Sequence, residues 1–454
     1  MKLKENRWLL ISIVIGSFFN SFMSSSLNIA MPVIDIEYGI GVDKVAWITK
    51  SFLLASAIGL LLSGWLADNF GRRKIFLIGN IVFGVISLLI IFLKNFYLLV
   101  IFRFFQGLGS SMIMASAPAL IASAFDTNKR GFVLGIQTTF TYVGLLLAPL
   151  LGGILTQYFG WKSLFLFNFF FTILALVIIT FGVKSEWKNE EKINFDFYGY
   201  SLFVLVVIGI VLALEWLNWN SLIALAISFL FGYGFIIYEL QHPQPFISIQ
   251  FIRNNKFFTH SILAALINYA TTFAISYILS IYLQNVRGMK PIQAGVVLSF
   301  QPLMMALFSA FFGHLSDKHN PGKIASYGMA IISGALLLIG LLINETIPIF
   351  ILAILLAILG FGFALFSSPN TNAVMSSINK NAYGFASSFL AFSRLFGQFI
   401  SMALASSLIL LVNTRNMQIL HFSSIVLSTK IIFIIFAILS AYGVHLSLQR
   451  IKKN

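Results

Sequence analysis

The chain has 454 residues, of which 59% are hydrophobic and 9% are charged, and it contains no cysteine. Its mean hydropathy of +0.94 and its many long apolar stretches exclude a water-soluble enzyme, because each stretch is long enough to cross a bilayer as a helix. The lack of cysteine excludes disulfides, thiolate metal sites and cysteine nucleophiles. The formal net charge of +15 would suit a nucleic-acid or membrane-surface partner, and the placement of the cations decides between them.

Fourteen apolar stretches are predicted to be membrane-spanning helices, called spans 1 to 14 in chain order. Their approximate bounds are 8–31, 45–66, 75–93, 96–121, 131–156, 162–183, 198–217, 220–238, 258–284, 292–313, 324–343, 347–367, 384–411 and 427–447. No small-residue cleavage site follows the first stretch, so we expect a retained helix rather than a signal peptide. The predicted fold class is an all-α polytopic membrane protein.

Lysine and arginine concentrate in the loops that share a side with both chain ends. Of 29 such residues, those in or beside the opposite loops are Lys44, Lys94, Lys162, Arg287, Lys290, Arg415 and Lys430. By the positive-inside rule, this bias places both termini in the cytoplasm. The basic charge then follows from topology, and we expect no nucleic-acid partner.

Two sequence repeats indicate that the chain is built from two related halves. Gly313, Leu315, Asp317 and Lys323, between spans 10 and 11, repeat the spacing of Gly64, Leu66, Asp68 and Lys74, between spans 2 and 3. Gly384-Phe385 and Gly397 repeat Gly131-Phe132 and Gly144 in the same way. We therefore expect a six-helix bundle over residues 1–183, an inserted helical pair with its linkers over 184–257, and a second six-helix bundle over 258–454.

Charged residues inside spans are costly in lipid and usually face a bundle interior or a water-filled cavity. Asp35 and Lys50 lie at similar depth near the outer ends of spans 1 and 2, so they are predicted to pair, and outside protons would break the pair. The alternative is that Asp35 is a solvated interfacial acid. Glu37 is the next candidate for proton coupling, whereas Glu215, in the inserted pair, is expected to lie outside the transport pathway.

Arg103 lies inside span 4, with Gln106 one turn later and a run of small residues after it. Snorkelling of Arg103 to the outer interface is one interpretation, and a polar face directed inward is the favoured one. Further cavity candidates are polar, aromatic and Met side chains that can adapt to several ligands. The predicted substrate-cavity residues are Phe22, Met23, Ser25, Asn28, Lys50, Gln106, Gln137, Tyr142, Gln301, Arg394 and Gln398. For Arg394 and Gln398, which share one face of span 13, the alternative is that they cap a packing contact.

A polar island separates spans 2 and 3, with Gly64, Asp68, Gly71, Arg72, Arg73 and Lys74 in a short segment. Asp68 lies at the end of span 2, where a carboxylate can cap the N-terminus of a neighbouring helix. The alternative is a positive-inside loop with an incidental acid. In span 5, Gly144, Pro149, Gly152 and Gly153 suit a packing groove with a local bend.

These motifs together resemble those of the major facilitator superfamily, and in particular its fourteen-helix drug:proton antiporter family. The island matches every fixed position of the loop 2–3 signature, while Arg103–Gly109, Gly144–Gly153 and Asn28–Pro32 are similar to the motifs of helices 4, 5 and 1. Two departures are Ala148, in place of a glycine, and Met23, where the drug antiporters usually carry an aspartate.

The resemblance implies the major facilitator fold and a proton-coupled multidrug efflux antiporter of the bacterial inner membrane, working by alternating access. It further implies that Asp68 latches one conformation against span 13, that Arg103 takes part in proton transfer, and that span 5 prevents leak. Hydrophobic, zwitterionic or cationic drugs and protons are the expected partners of a monomer without cofactor or metal. The alternatives are an exporter of a lipid or metabolite, and a sensor or scaffold that transports nothing.

Overall fold

The structure is a computed structural model that describes residues 2–188, 194–215, 219–243, 245, 247–378, 383–413 and 422–450. Within these residues, 14 helices are long and apolar enough to cross a membrane, as the sequence predicted. The single-helix spans are Lys2–Tyr38, Trp47–Phe70, Arg72–Ile91, Phe96–Ala124, Thr127–Phe159, Ser163–Gly182, Phe197–Glu215 and Trp219–Gln241 as spans 1 to 8, then Pro321–Leu342, Ile349–Ser376, Tyr383–Asn413 and Phe422–Gln449 as spans 11 to 14.

Spans 9 and 10 are interrupted. Span 9 consists of Lys256–Thr272, Ile275–Ile281 and a π-helical turn at Tyr282–Val286, and span 10 consists of Pro291–Leu298 and Phe300–Lys318. At the break in span 9 the N–H of Ala274 donates to the Ser401 hydroxyl of span 13 at 3.0 Å, so the freed backbone group is satisfied inside the protein. Short helices at Val42–Val45 and Ile249–Asn254 precede spans 2 and 9.

The same helix pairs pack in each six-helix half. Span 1 packs on spans 5 and 6, span 2 on span 4, and span 3 on spans 4 and 6; the matching pairs in the second half are span 9 with 13 and 14, span 10 with 12, and span 11 with 12 and 14. The halves meet along three seams, which join span 1 to 9, span 2 to 13, and span 5 to 10. This arrangement leaves a cavity between the halves.

The inserted pair, spans 7 and 8, lies beside the seam of spans 2 and 13. The Tyr200 hydroxyl of span 7 donates to the Ile58 carbonyl of span 2 at 3.1 Å, and the Phe203 ring contacts Phe392 of span 13 with centroids 5.0 Å apart. The outward faces of both inserted helices expose large apolar side chains such as Phe229 and Leu230, as lipid contact requires. The pair therefore covers this seam on its lipid side.

Candidate transport cavity and gates

A cavity of about 640 Å³, counting the part open to solvent, lies between the two halves. It is lined by Ser24, Ser25, Leu145, Pro149, Tyr269, Thr272, Phe273, Ser276, Leu298, Gln301, Pro302, Met305, Phe363 and Gln398. Within the described part of the chain this lining holds hydroxyls, amides, aromatic rings and one methionine, and no carboxylate or cation. Such a surface offers neutral hydrogen-bonding groups and large apolar contacts to a ligand.

Several predicted cavity residues lie in or beside this lining. Ser25, Gln301 and Gln398 are part of it, and the Asn28 amide donates to the lining Ser276 hydroxyl at 2.8 Å. Tyr142 and Ser367 connect the two halves, with their hydroxyl oxygens 3.2 Å apart.

Arg394 lies one helical turn from Gln398 on span 13. Its Nη2 donates to the Thr371 hydroxyl at 2.5 Å, and its guanidinium carbon lies 5.7 Å from the ring centroid of the lining Tyr269. Arg394 therefore lies beside the cavity lining, and its guanidinium adds positive potential at the cavity edge.

Phe22, Met23 and Gln106 do not line the cavity, and the prediction for them was wrong. All three are fully buried inside the first half, where the Phe22 ring lies 5.7 Å from that of Phe167 on span 6. Each residue turns the helix by about 100°, so Met23 points about 150° away from the direction midway between Ser24 and Ser25, and it faces the bundle core. Gln137 donates to the Ser17 hydroxyl at 3.2 Å, within the same half.

Arg103 is fully buried in a polar cluster of spans 2, 3, 4 and 6. Its Nε donates to the Ile48 carbonyl at 3.1 Å and its Nη1 to Gln106 Oε1 at 2.5 Å, while the guanidinium carbon lies 4.3 Å from the Phe52 ring centroid. Gln106 in turn donates to Ser87 at 2.6 Å. The guanidinium thus points into the bundle and not to the outer interface, so the snorkelling interpretation does not hold.

Lys50 is paired with Glu215 and not with Asp35, which corrects the predicted pair. Lys50 Nζ lies 2.7 Å from Glu215 Oε2 and 2.9 Å from Oε1. Asp35 instead accepts the Gly41 N–H at 2.8 Å and so closes the turn after span 1, and Glu37 accepts from the Trp161 indole at 2.6 Å. The prediction missed this pair because span 7 is distant from span 2 in sequence.

The polar island is held by carboxylates from two segments. Asp68 Oδ1 accepts from Arg72 at 2.7 and 3.0 Å within the island. Glu186, from the linker after span 6, accepts the N–H groups of Arg73 and Lys74 at 2.8 and 3.2 Å and so caps the start of span 3. Gly71 has φ of +118° at the junction of spans 2 and 3, a conformation that side chains rarely adopt. The residues just before Tyr383, where the predicted partner of Asp68 would lie, are outside the described residues.

The glycines of span 5 allow close approach to two helices. A Cβ on Gly144 would lie 2.5 Å from the Phe18 carbonyl of span 1, and one on Gly153 would lie 2.6 Å from the Pro291 carbonyl of span 10. From the other side, a Cβ on Gly295 would lie 2.3 Å from the Pro149 carbonyl, while Gly152 packs on Ser26 of span 1. The segment therefore packs span 5 within its own half and also closes the seam to the other half.

The seams are closed at the membrane face opposite the chain ends. There Gln284 donates to the Ile29 carbonyl at 2.9 Å, and Lys50 donates to Ser406 at 3.2 Å. Toward the terminal face, the described hydrogen bonds between the halves reach only as far as Tyr142 and Ser367, and Phe140 on span 5 is exposed. The structure is thus closed on the opposite face and open toward the face that carries the termini.

The comparisons with known proteins agree with this architecture. The family model of the Major Facilitator Superfamily matches residues 13–402. The chain belongs to the Major Facilitator Superfamily. It is 31% identical to the riboflavin transporter RibZ of Clostridioides difficile, over 85% of each chain. It is 26% identical to the multidrug transporter protein MdtP of Bacillus subtilis, over 87% of this chain and 74% of that protein. The tetracenomycin C resistance and export protein of Streptomyces glaucescens is 27% identical, over 83% and 71%.

A solved structure shows the same fold. The crystal structure of a D-xylose-proton symporter superposes with a TM-score of 0.69 at 12% identity, covering 95% of this chain and 96% of that one. As a member of this superfamily the protein is a transporter and not an enzyme, and it is a multi-pass protein of the bacterial inner membrane.

The sequence prediction named none of the residues that span 9 contributes to the cavity wall. Tyr269, Thr272, Phe273 and Ser276 all line the cavity and surround the helix break. A signal was present, because Asn268, Thr271, Thr272 and Ser276 place several polar side chains near the middle of this predicted span. Intramembrane polar groups of this kind usually face a cavity.

Proposed function

We propose that the protein is a proton-coupled multidrug efflux antiporter whose preferred substrates are neutral or zwitterionic aromatic compounds. The observation that carries the proposal is the cavity lining, which combines Gln301 and Gln398 with aromatic walls such as Tyr269 and Phe363. Aromatic and amide surfaces bind flat, amphipathic molecules with few geometric demands. Cationic dyes are disfavoured, because the described lining lacks a carboxylate and Arg394 is near its edge.

The packing of the span 5 segment supports antiport, in which a proton and a substrate cross the membrane in opposite directions. Its glycines allow the carbonyls of Pro149 and Pro291 to pack tightly at the seam between spans 5 and 10. A tight seam prevents protons from crossing without substrate, as an antiporter requires. Resemblance to the antiporter motif and similarity to drug-export proteins point in the same direction.

The coupling acid is proposed to be Asp35, with Glu37 as the next candidate and Arg103 assisting proton transfer. Asp35 is partly buried at the closed face, and its carboxylate holds the turn at Gly41. Protonation would weaken that hydrogen bond, so the turn offers a way for a proton to change the end of span 1. Asp35→Asn is expected to abolish proton-driven efflux without loss of protein from the membrane.

The test is efflux from bacterial cells that produce the protein, compared with cells that lack it. Norfloxacin, a zwitterion, and chloramphenicol, which is neutral, should accumulate less in producing cells, and a protonophore should remove the difference. Ethidium, a cation, should show a smaller effect. Equal accumulation of all three compounds in both cell types would contradict the proposal.

A second candidate function is transport of riboflavin or a related flavin, and it is favoured by the 31% identity to RibZ over most of both chains. A flavin ring is neutral, flat and rich in hydrogen-bond acceptors, which the same lining would suit. Uptake of labelled riboflavin by cells that cannot make it distinguishes the candidates. Riboflavin uptake with unchanged drug accumulation would replace the first proposal with the second.

A further inference from the structure

An ion pair between the buried Lys50 and the partly exposed Glu215, at the closed face, joins the inserted pair to both halves. The Lys50 side chain is fully buried, and its ammonium donates to both carboxylate oxygens of Glu215 and to the Ser406 hydroxyl. Glu215 also accepts from the Trp47 indole at 2.7 Å. All three ammonium hydrogens therefore have partners, and a buried charge is tolerated only under such conditions.

The pair lies at the seam that has to open during transport. Lys50 belongs to span 2 of the first half, Ser406 to span 13 of the second, and Glu215 to inserted span 7. The Ser407 hydroxyl of span 13 donates to the Leu214 carbonyl of span 7 at 3.0 Å, so Glu215 is held on the second half as well. Separation of spans 2 and 13 at this face must therefore break contacts of Lys50.

We propose that Glu215 and Lys50 form a lock that stabilises the conformation closed at the face opposite the termini, and that inserted span 7 supplies its anion. Glu215 is a positioning residue, because it sets the conformational equilibrium without touching substrate. The lock acts in alternating access whichever compound is carried. Failure of the drug-efflux or riboflavin experiment therefore leaves this proposal intact.

The chain offers a clean reporter for opening at this face, because it contains no cysteine. Ser280 of span 9 is fully buried at the seam with span 1, where its hydroxyl is 3.5 Å from the Ile29 carbonyl. In Ser280→Cys protein, labelling by a membrane-impermeant maleimide added outside measures how often the face opens. Glu215→Gln should raise the labelling rate roughly tenfold, since a hydrogen bond between charged groups is lost.

Two matched variants control for loss of negative charge at the same face. Glu345→Gln changes an exposed carboxylate in the segment between spans 11 and 12, and it should leave labelling unchanged. Asp43→Asn removes another carboxylate that acts on Lys50 electrostatically, and it should change labelling far less than Glu215→Gln. If Glu215→Gln labels at the rate of Glu345→Gln while remaining folded by size-exclusion chromatography, the lock does not exist.

A double-mutant cycle tests whether the two side chains act as one unit. Lys50→Gln should raise labelling by about the same factor as Glu215→Gln, and the double variant should add little to either. Fully multiplicative effects of the two changes would show independent roles and overturn the proposal.

Discussion

At the scale of single residues, Arg103 is a buried cation whose contacts require the planar shape of a guanidinium. One planar guanidinium reaches the Ile48 carbonyl and Gln106 while stacking over Phe52. A lysine ammonium cannot do all three, because it is a point charge on a flexible stem. The side chain therefore connects spans 2 and 4 as well as carrying charge.

Arg103→Ala should lower the free energy of unfolding by about 3 kcal/mol, because it leaves buried polar partners unsatisfied. Thermal unfolding of the purified protein in detergent measures the loss. Arg103→Lys should recover only a small part of it. Arg253→Ala, which changes an exposed cation, serves as the control and should leave the unfolding temperature unchanged.

Ser25 and Met23 lie on the same helix but are expected to differ in whether they tolerate a charged substitution. Ser25 lines the cavity, whereas Met23 is fully buried in the bundle core. We expect Ser25→Asp to increase export of ethidium, since a carboxylate then faces the cavity. Met23→Asp should instead reduce the amount of folded protein, because burying an unpaired charge costs roughly 3 kcal/mol or more. Ethidium efflux and membrane protein yield are the two measurements.

At the scale of helices, the contact between spans 5 and 10 depends on glycine on both sides. Gly153 and Gly295 each lie where an added Cβ would meet a backbone carbonyl of the other helix. Backbone carbonyls cannot move aside as flexible side chains do. The two helices are therefore expected to tolerate no larger residue at these points.

Gly295→Val should shift the protein away from the conformation that is closed at the face opposite the termini, and it should reduce transport. Overpacking costs about 1–3 kcal/mol, enough to change a two-state equilibrium by roughly tenfold. External labelling of the Ser280→Cys reporter should rise accordingly. Gly135→Val is the matched control, because the structure leaves open space around Gly135 on the same span 5. Equal labelling of the two variants would contradict the role assigned to the seam.

The helices themselves were predictable, while several partners were not. The length of the apolar stretches predicted all fourteen spans, because in lipid each span must satisfy its own backbone hydrogen bonds as a helix. Met23 and Gln106 were predicted to face the cavity, but both side chains are buried in the first half. In a chain this apolar, the periodicity of hydrophobic residues does not distinguish the core, lipid and cavity faces of a helix. The partner of Lys50 was missed because Glu215 comes from a helix with no counterpart in the repeated halves.

At the scale of the whole molecule, the two halves must exchange one closed face for the other. The structure shows the closed seams on the face opposite the termini, with Asp68 paired to Arg72 on the terminal face. This pair is partly exposed, and exposed pairs contribute about 1 kcal/mol or less. In the alternative conformation, Asp68 is proposed to cap span 13 instead, where it would meet the positive end of the helix dipole.

Asp68→Asn should therefore favour the conformation seen here, while Glu215→Gln should disfavour it. In the Ser280→Cys background, adding Asp68→Asn to Glu215→Gln should lower the raised labelling rate several-fold. The measurement is the maleimide labelling rate in intact cells at equal protein levels. A double variant that labels as fast as Glu215→Gln alone would rule out the latch.

Burial of Lys50 also limits how this chain can be shortened. Excising residues 184–257 to make a twelve-helix protein would remove Glu215, and the Lys50 ammonium would keep only the Ser406 hydroxyl and the face of the Trp47 ring among its described partners. The same cut removes Glu186 from the start of span 3. The inserted pair is therefore not a detachable module, and a viable miniature would need an apolar residue at position 50 and a new cap for span 3.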